Sequence, residues 1–291
     1  MRIAFLGTPD AAVPSLRALV RTGHEIVIVI TRPDRRRGRG PELSPSPVKA
    51  AALEMGLPVA HRLSNLDPSD VDLGVVVAYG ALVPAAVLER VPMLNVHFSL
   101  LPRWRGAAPV ERAILAGDAM TGVSVMRLEA ELDTGPVHLQ RQVEIGHKSA
   151  EELTTELAML GAQALIEVLA SPELLEHPRP QTGEVTYAEK LTKETFRLVP
   201  SMTRAEALRV IQLGRAFAMV EGRRIRVDRA EDGGRDEVKP GAVGWTDGRV
   251  LFGCADGAVA IVDVQPEGAR PMNAAAWWAG ARLDSMCARW S

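Results

Sequence analysis

The sequence predicts an α/β protein: a Rossmann-like, mostly parallel sheet with helices on both faces, followed by a small C-terminal β-barrel of OB-like type. Three observations carry this prediction. Residues 2–31 run strand, helix, strand, the unit that calls for a parallel pair with a crossover. Apolar runs at 71–79, 94–97, 121–128 and 137–145 supply further strands between helical stretches. Beyond residue 203, short strands lie close together and are punctuated by Asp-Gly turns at 232–233, 247–248 and 256–257, as in a small barrel.

The 291 residues suffice for two domains, and the expected division is 1–170, a linker over 171–200, and 201–291. The linker reading rests on prolines and polar residues with few apolar periods. Composition is that of a globular chain, 47% hydrophobic and 24% charged, and no apolar run reaches the length that spans a bilayer. Strand-like residues begin at Arg2, leaving no room for a signal peptide. Cys254 and Cys287 have no metal-ligand spacing, so neither a disulfide framework nor a metal site is indicated. A cytoplasmic monomer without a membrane partner is expected. The net charge of −2 neither announces nor excludes a nucleic-acid binder, because a local basic patch decides that.

Residues 2–7 are a short apolar run ending in glycine, followed by helical spacing at Ala12, Val13, Leu16, Leu19 and Val20. A single glycine there is not the Gly-x-Gly-x-x-Gly fingerprint, so a nicotinamide site is excluded. The β-branched run 25–31 is the second strand. Residues 32–47 form a long polar loop with five arginines, Arg32, Arg35, Arg36, Arg37 and Arg39, suited to phosphate contacts or to plain solvation. Ser46 and Pro47 read as the cap and first turn of a helix to Gly56, with a short strand at 57–60. The run 71–79 is a buried central strand closed by Gly80, 84–90 a short helix, and 94–97 the next strand. Helices at 110–116, 150–169 and 203–216, and strands at 224–227, 241–245, 250–253 and 258–264, complete the pattern.

The stretch 93–109 organises the chain. Leu94 and Val96 alternate with Asn95 and His97, delivering an amide and an imidazole to one face at a strand's C-terminal edge, where open α/β sheets place their ligands. Such a pair can polarise a carbonyl, although Asn-x-His by itself is more often a strand end with a satisfied core histidine. The turn 131–136 adds an acid, Asp133, on a glycine-supported loop.

Asn-x-His-x-Ser-Leu-Leu-Pro at 95–102, followed by Leu-Asp-Thr-Gly at 132–135, resembles the folate-dependent formyltransferase family. Ser-Leu-Leu-Pro-Arg-Trp-Arg-Gly-Ala-Ala-Pro at 99–109 is similar to the members that act on methionyl-tRNA. Phe-Leu-Gly-Thr-Pro-Asp at 5–10, Arg-Pro-Asp-Arg at 32–35, Ser-Pro-Val-Lys at 46–49, Val-Val-Val-Ala-Tyr-Gly at 75–80 and Val-Thr-Tyr-Ala-Glu-Lys-Leu at 185–191 extend the resemblance over nearly the whole chain. It implies an enzyme that moves the formyl group of 10-formyltetrahydrofolate onto initiator methionyl-tRNA. Asn95 and His97 would then stabilise the oxyanion, and Asp133 would assist proton movement and orient His97. It further implies that Ala78, Tyr79, Gly80, Ser99, Leu100, Leu101 and Pro102 line the folate pocket. Arg35, Arg36, Arg37 and Arg39 would reach the tRNA acceptor stem, and no metal is needed.

A related enzyme acting on an amino sugar nucleotide would keep Asn95, His97 and Asp133 but would not need the arginine loop. A non-catalytic tRNA- or folate-binding relative predicts their erosion. Departures from the pattern are Phe98 beside His97, Pro41 and Glu42 after Gly40, Glu131 before Leu132, and the segment 210–220. Phe98 either narrows the folate pocket or points into the core.

Overall fold

The computed structural model describes residues 1–36, 42–234, 238–281, 283 and 288–291, and the chain forms two compact units. The first comprises residues 1–110, 119–144 and 153–189. Its elements are β1 (Arg2–Gly7), α1 (Val13–Arg21), β2 (Glu25–Ile30), β3 (Arg35–Arg36), β4 (Leu43–Ser44), α2 (Pro47–Glu54), β5 (Val59–Ala60), β6 (Leu73–Val77), α3 (Ala85–Leu88), β7 (Met93–His97) and β8 (Arg105–Gly106). Next along the chain come α4 (Pro109–Ala116), which from residue 111 belongs to the second unit, then β9 (Met120–Arg127), β10 (Val137–Glu144), α5 (Ala150–Ala170), α6 (Pro172–Glu176) and β11 (Tyr187–Ala188). Seven strands make one sheet in the order β10-β9-β7-β6-β1-β2-β5. The five strands from β7 to β5 are parallel, and β9 and β10 add antiparallel pairs. This is the mostly parallel sheet that the sequence predicts.

Strand order reverses between β1 and β6, because the chain leaves β1 outward to β2 and returns on its other side. That crevice, at the carboxyl ends of the strands, is where such sheets admit ligands. The loops after β1 and β6 are tied there, Thr8 Oγ1 donating to Tyr79 O at 3.0 Å. The buried inner strands explain their continuous apolar runs: all five residues of β6 are buried.

The pairing register sorts side chains onto two faces. Leu6, Val76 and Asn95 are neighbours across β1, β6 and β7, so they share a face with Met93 and His97. Val87 and Leu88 of α3 pack on that face, against the cluster of Ala4, Leu6, Ile30, Val76 and Met93. The other face carries α5, whose Gly161 approaches Val96 and Val123 so closely that a Cβ would lie 2.6 Å from Val96 Cγ1. Helix α5 is itself long and apolar enough to cross a membrane by length and composition, against the expectation of no such run. Leu153, Leu157, Leu165 and Val168 on it are buried in the protein.

The arginine-rich loop contains a ladder of its own. Arg35 pairs with Ser44 and Arg36 with Leu43, so the described residues on either side pair as antiparallel strands within what reads from sequence as a long polar loop. Its base is fastened by the Lys49–Asp34 ion pair at 2.8 Å and by Thr31 Oγ1 to Ser46 Oγ at 2.7 Å. Ser46 also caps α2, accepting from Lys49 N at 3.0 Å, as predicted.

Residues 171–189, read from sequence as the start of a linker, are hydrogen-bonded into the first unit. Leu174 O meets His138 Nδ1 at 2.9 Å, Val137 and Arg179 exchange two backbone hydrogen bonds, and β11 pairs in parallel with β8. The pairing is between backbones, so the segment needs no apolar periodicity and shows none.

The second unit comprises residues 111–118, 145–152 and 190–291. Its helices are most of α4, from residue 111 on, together with α7 (Arg204–Gln212) and α8 (Ala274–Ala281). Its strands are β12 (Phe217–Val220), β13 (Arg223–Asp232), β14 (Val243–Thr246), β15 (Arg249–Cys254), β16 (Gly257–Pro266) and β17 (Met272–Asn273). The antiparallel order is β12-β13-β16-β15-β14, with β17 on β16. The last residues close it into a barrel: Met219 and Ser291 exchange backbone hydrogen bonds on the β12 side, while Trp290 N donates to Gly241 O beside β14. Trp290 stacks on Phe252 at 5.2 Å in the core. Asp247-Gly248 is the predicted hairpin tip, both residues having positive φ, and Glu221-Gly222 makes the same turn between β12 and β13. Asp232-Gly233 is not a hairpin; Gly233 N donates to Ala258 O and extends the β13–β16 ladder.

Candidate active site

Asn95 and His97 stand on β7, two residues apart and therefore on one face, at the strand's carboxyl end. Asp133 reaches them from the loop between β9 and β10. His97 Nδ1 lies 3.6 Å from Asp133 Oδ2, and Asn95 Nδ2 lies 3.5 Å from Oδ1. His97 and Asp133 are buried, each 6% exposed, so their polar contact lies in a water-poor setting. The three residues proposed from sequence are thus brought together.

The opposite ring nitrogen, His97 Nε2, sits 2.9 Å from Trp104 O. A carbonyl only accepts, so Nε2 carries a proton, and Nδ1 faces the carboxylate. The carboxylate is held in turn by the Gly106 amide, which donates to Oδ2 at 2.8 Å. Gly106 has φ +121°, and a Cβ there would lie 2.8 Å from Ala188 O, so the position requires glycine. Asp133 itself has φ +52°, a left-handed conformation that costs a non-glycine residue about 1 kcal/mol or more. That geometry persists because surrounding bonds over-determine it.

The turn 99–103 folds over the same face. Ser124, paired with His97, donates through Oγ to Ser99 O at 2.7 Å and accepts from Leu101 N at 3.1 Å. Gln140 Nε2 meets Leu101 O and Ser124 Oγ, both at 2.9 Å. Ser99 and Leu101 are buried, and the Ser99 hydroxyl donates to Arg103 O. Leu100 packs against Gly122 of β9, where a Cβ would meet its Cδ2 at 2.5 Å. Side chains of three of the four folate candidates on this turn therefore build it.

Ala78 and Gly80 are exposed at the crevice with positive φ, while Tyr79 is buried beneath them. Burial pushes the Tyr79 phenol above its usual range. Phe98 lies on the opposite face from His97 by strand alternation, near the Gly161 position of α5, and does not enter the site. Arg35 and Arg36 are exposed on β3; Arg37 and Arg39 lie outside the described residues. Cys254 is buried in the barrel, where desolvation pushes its thiol up to about 11, so it offers no thiolate.

Sequence reasoning missed the residues that hold the site from 181–188. Thr186 Oγ1 accepts from Trp104 N at 2.9 Å, Ala188 O accepts from the amides of Ala107 and Ala108, and Gln181 bonds the Asp133 loop. The motif at 185–191 was visible, but no residue type in it announces a role.

Comparison with known proteins gives the family of the chain. The formyl transferase family model matches residues 1–169, and that of the formyl transferase C-terminal domain matches 202–282. The methionyl-tRNA formyltransferase of Jannaschia sp. (strain CCS1) is 42% identical, covering 97% of this chain and 98% of its own. That of Rhizorhabdus wittichii is 44% identical, covering 94% and 93%. Among solved structures, the N-formyltransferase from Helicobacter canadensis in complex with folinic acid and dTDP-3-aminofucose aligns with TM-score 0.69 at 15% identity, covering 91% of this chain and 98% of its own. Methionyl-tRNA formyltransferase from Clostridium thermocellum aligns with TM-score 0.56 at 16% identity, again over 91% and 98%; both likenesses concern the fold. On the family match and the full-length relatives, the chain belongs to the formyl transferase family, among its methionyl-tRNA formyltransferases.

Proposed function

We propose that this chain transfers the formyl group of 10-formyltetrahydrofolate to the free amine of the methionyl moiety on initiator tRNA. The observation that carries the reading is the convergence of Asn95, His97 and Asp133 at the carboxyl end of β7, in a chain with relatives of that activity along its whole length. The amine attacks the formyl carbon, and its oxygen becomes an oxyanion. Asn95 Nδ2 is the donor for that oxygen, and His97 gives up its contact with Trp104 O to assist. Asp133 takes the proton from the attacking nitrogen. The bond to the folate nitrogen then breaks as that nitrogen receives the proton from Asp133, which returns to carboxylate, and N-formylmethionyl-tRNA and tetrahydrofolate leave. A preorganised donor at the oxyanion is typically worth about 10²–10³ in rate.

The folate fits the β1–β6 crevice, where exposed Ala78 and Gly80 offer backbone groups beside the 99–102 turn. Arg35 and Arg36 of β3, with Arg37 and Arg39 that follow them in sequence, meet the acceptor stem, and residues 201–291 hold the tRNA backbone. Residues 1–170 with the returning segment to 189 form the catalytic part. The protein acts in the cytoplasm as a monomer. The test is formyl transfer from 10-formyltetrahydrofolate to charged initiator methionyl-tRNA, with an amino sugar nucleotide as comparison. Transfer to the tRNA supports the reading; transfer only to the sugar nucleotide, or to neither, overturns it.

A further inference from the structure

We propose that Gln181 is a positioning residue for formyl transfer, acting through Asp133; the inference rests on the catalytic reading of Asp133 given above. Gln181 lies in the returning segment, 48 residues beyond Asp133. Its Nε2 donates to Asp133 O and to Gly135 O, both at 2.8 Å. Its Oε1 accepts from Arg105 Nε at 3.1 Å and from Arg105 Nη2 at 2.6 Å. Both amide hydrogens and both carbonyl lone pairs are thereby used, and the amide's orientation follows, since carbonyls only accept and a guanidinium only donates. The guanidinium is a charged donor, so its two bonds are the strong ones of the set.

The two carbonyls flank the turn that sets the direction of the Asp133 side chain. Asp133 is left-handed, and Gly135 packs so tightly that a Cβ would lie 2.0 Å from Arg127 O. A loop in that state has relaxed alternatives, and the Gln181 amide holds it out of them. Arg105 precedes Gly106, whose amide grips the carboxylate itself. Gln181 therefore joins the two grips on Asp133, one on its backbone and one on its carboxylate. Displacing a reacting group by about 1 Å costs on the order of 10²-fold in rate.

The experiment is single-turnover formyl transfer to methionyl-tRNA by Gln181→Ala and Gln181→Glu, with Asp133→Asn alongside. Gln181→Glu keeps the acceptor for Arg105 but turns an acceptor toward two carbonyls, so it tests the grip on Asp133 without emptying the site. Both variants are expected to lose about 10- to 100-fold in transfer rate. Binding of folate and tRNA should stay within threefold, and the melting temperature of Gln181→Glu near that of the parent. The pH–rate profile should be displaced, which a purely structural defect would not do. A wild-type rate in Gln181→Glu, or loss matched by equal weakening of both substrates, overturns the proposal. A wild-type rate in Asp133→Asn overturns the reading of the site beneath it. Loss in Asp133→Asn with none in Gln181→Glu overturns the positioning role alone.

Discussion

Asn95 carries two amide hydrogens, and its nitrogen meets Asp133 Oδ1 at 3.5 Å, the long end of a hydrogen bond. A donor so lightly engaged can turn to a developing oxyanion at little cost. Asn95→Ala is therefore expected to lower turnover by about 10²–10³-fold while leaving the melting temperature in place. Steady-state kinetics beside a thermal melt check this, and unchanged turnover would remove Asn95 from the chemistry. Phe98 makes the opposite case. It faces the Gly161 side of β7, so Phe98→Ala should cost about 2 kcal/mol of stability, given partial burial, and leave the folate KM unchanged. A denaturant titration and a folate saturation curve separate the two effects. The shared side of residues 95 and 97 was legible in the strand's alternation, whereas the side taken by Phe98, just past the strand's end, was left open between pocket and core until the structure set it against Gly161. Gln181 was not legible, because a glutamine in a polar stretch has no pattern until the backbone it holds is in place.

At the scale of elements, the strand pair β3–β4 presents Arg35 and Arg36 from a fastened base. Its two-residue ladder has no apolar alternation to reveal it in sequence, which is why it reads as a loop. Joint replacement of Arg35 and Arg36 by alanine should weaken tRNA binding and flatten its salt dependence by about one to two units of slope, with folate binding unaffected. Binding isotherms at several salt concentrations test this; equal loss of both ligands would count against a tRNA-facing strand pair. Strand β10 and helix α6 meet at His138, whose Nδ1 donates to Leu174 O while Nε2 is buried without a hydrogen-bond partner among the described residues. Burial, aided by the charge of Arg127, pushes this imidazole below its ordinary value near 6.5. The unfolded chain thus binds the proton first, so the stability from neutral His138 is present above that value and declines as pH falls through and below it. Melts between neutral and mildly acid pH should show the first unit weakening with acid. His138→Gln should reduce that slope, and an identical slope would show that other groups cause it.

At the scale of the whole molecule, the parallel sheet and the antiparallel barrel follow from periodicity, but closure of the barrel does not. Residues 217–220 are a strand too brief to announce itself, and Ala288–Ser291 carries no alternation, yet the latter joins the two edges of the sheet. Trp290 is 3% exposed, stacks on Phe252 and donates its indole N–H to Gly253 O at 3.2 Å. Trp290→Ala should cost the barrel about 3–5 kcal/mol, seen as an early unfolding transition. A melt indistinguishable from the parent would show that the closing residues contribute little.

The returning segment has a further consequence, for how this protein can be divided. Asn95, His97 and Asp133 all precede the end of the sheet, and the first family match stops at residue 169. The atoms that fix the Asp133 loop and the Trp104 turn arrive only at Gln181, Thr186 and Ala188. A graft or recombination joint placed at residue 170 would carry the three side chains proposed to react without their supports. A piece that keeps the proposed site with these supports therefore runs to residue 189, and it also carries residues 111–118 and 145–152, which belong to the second unit.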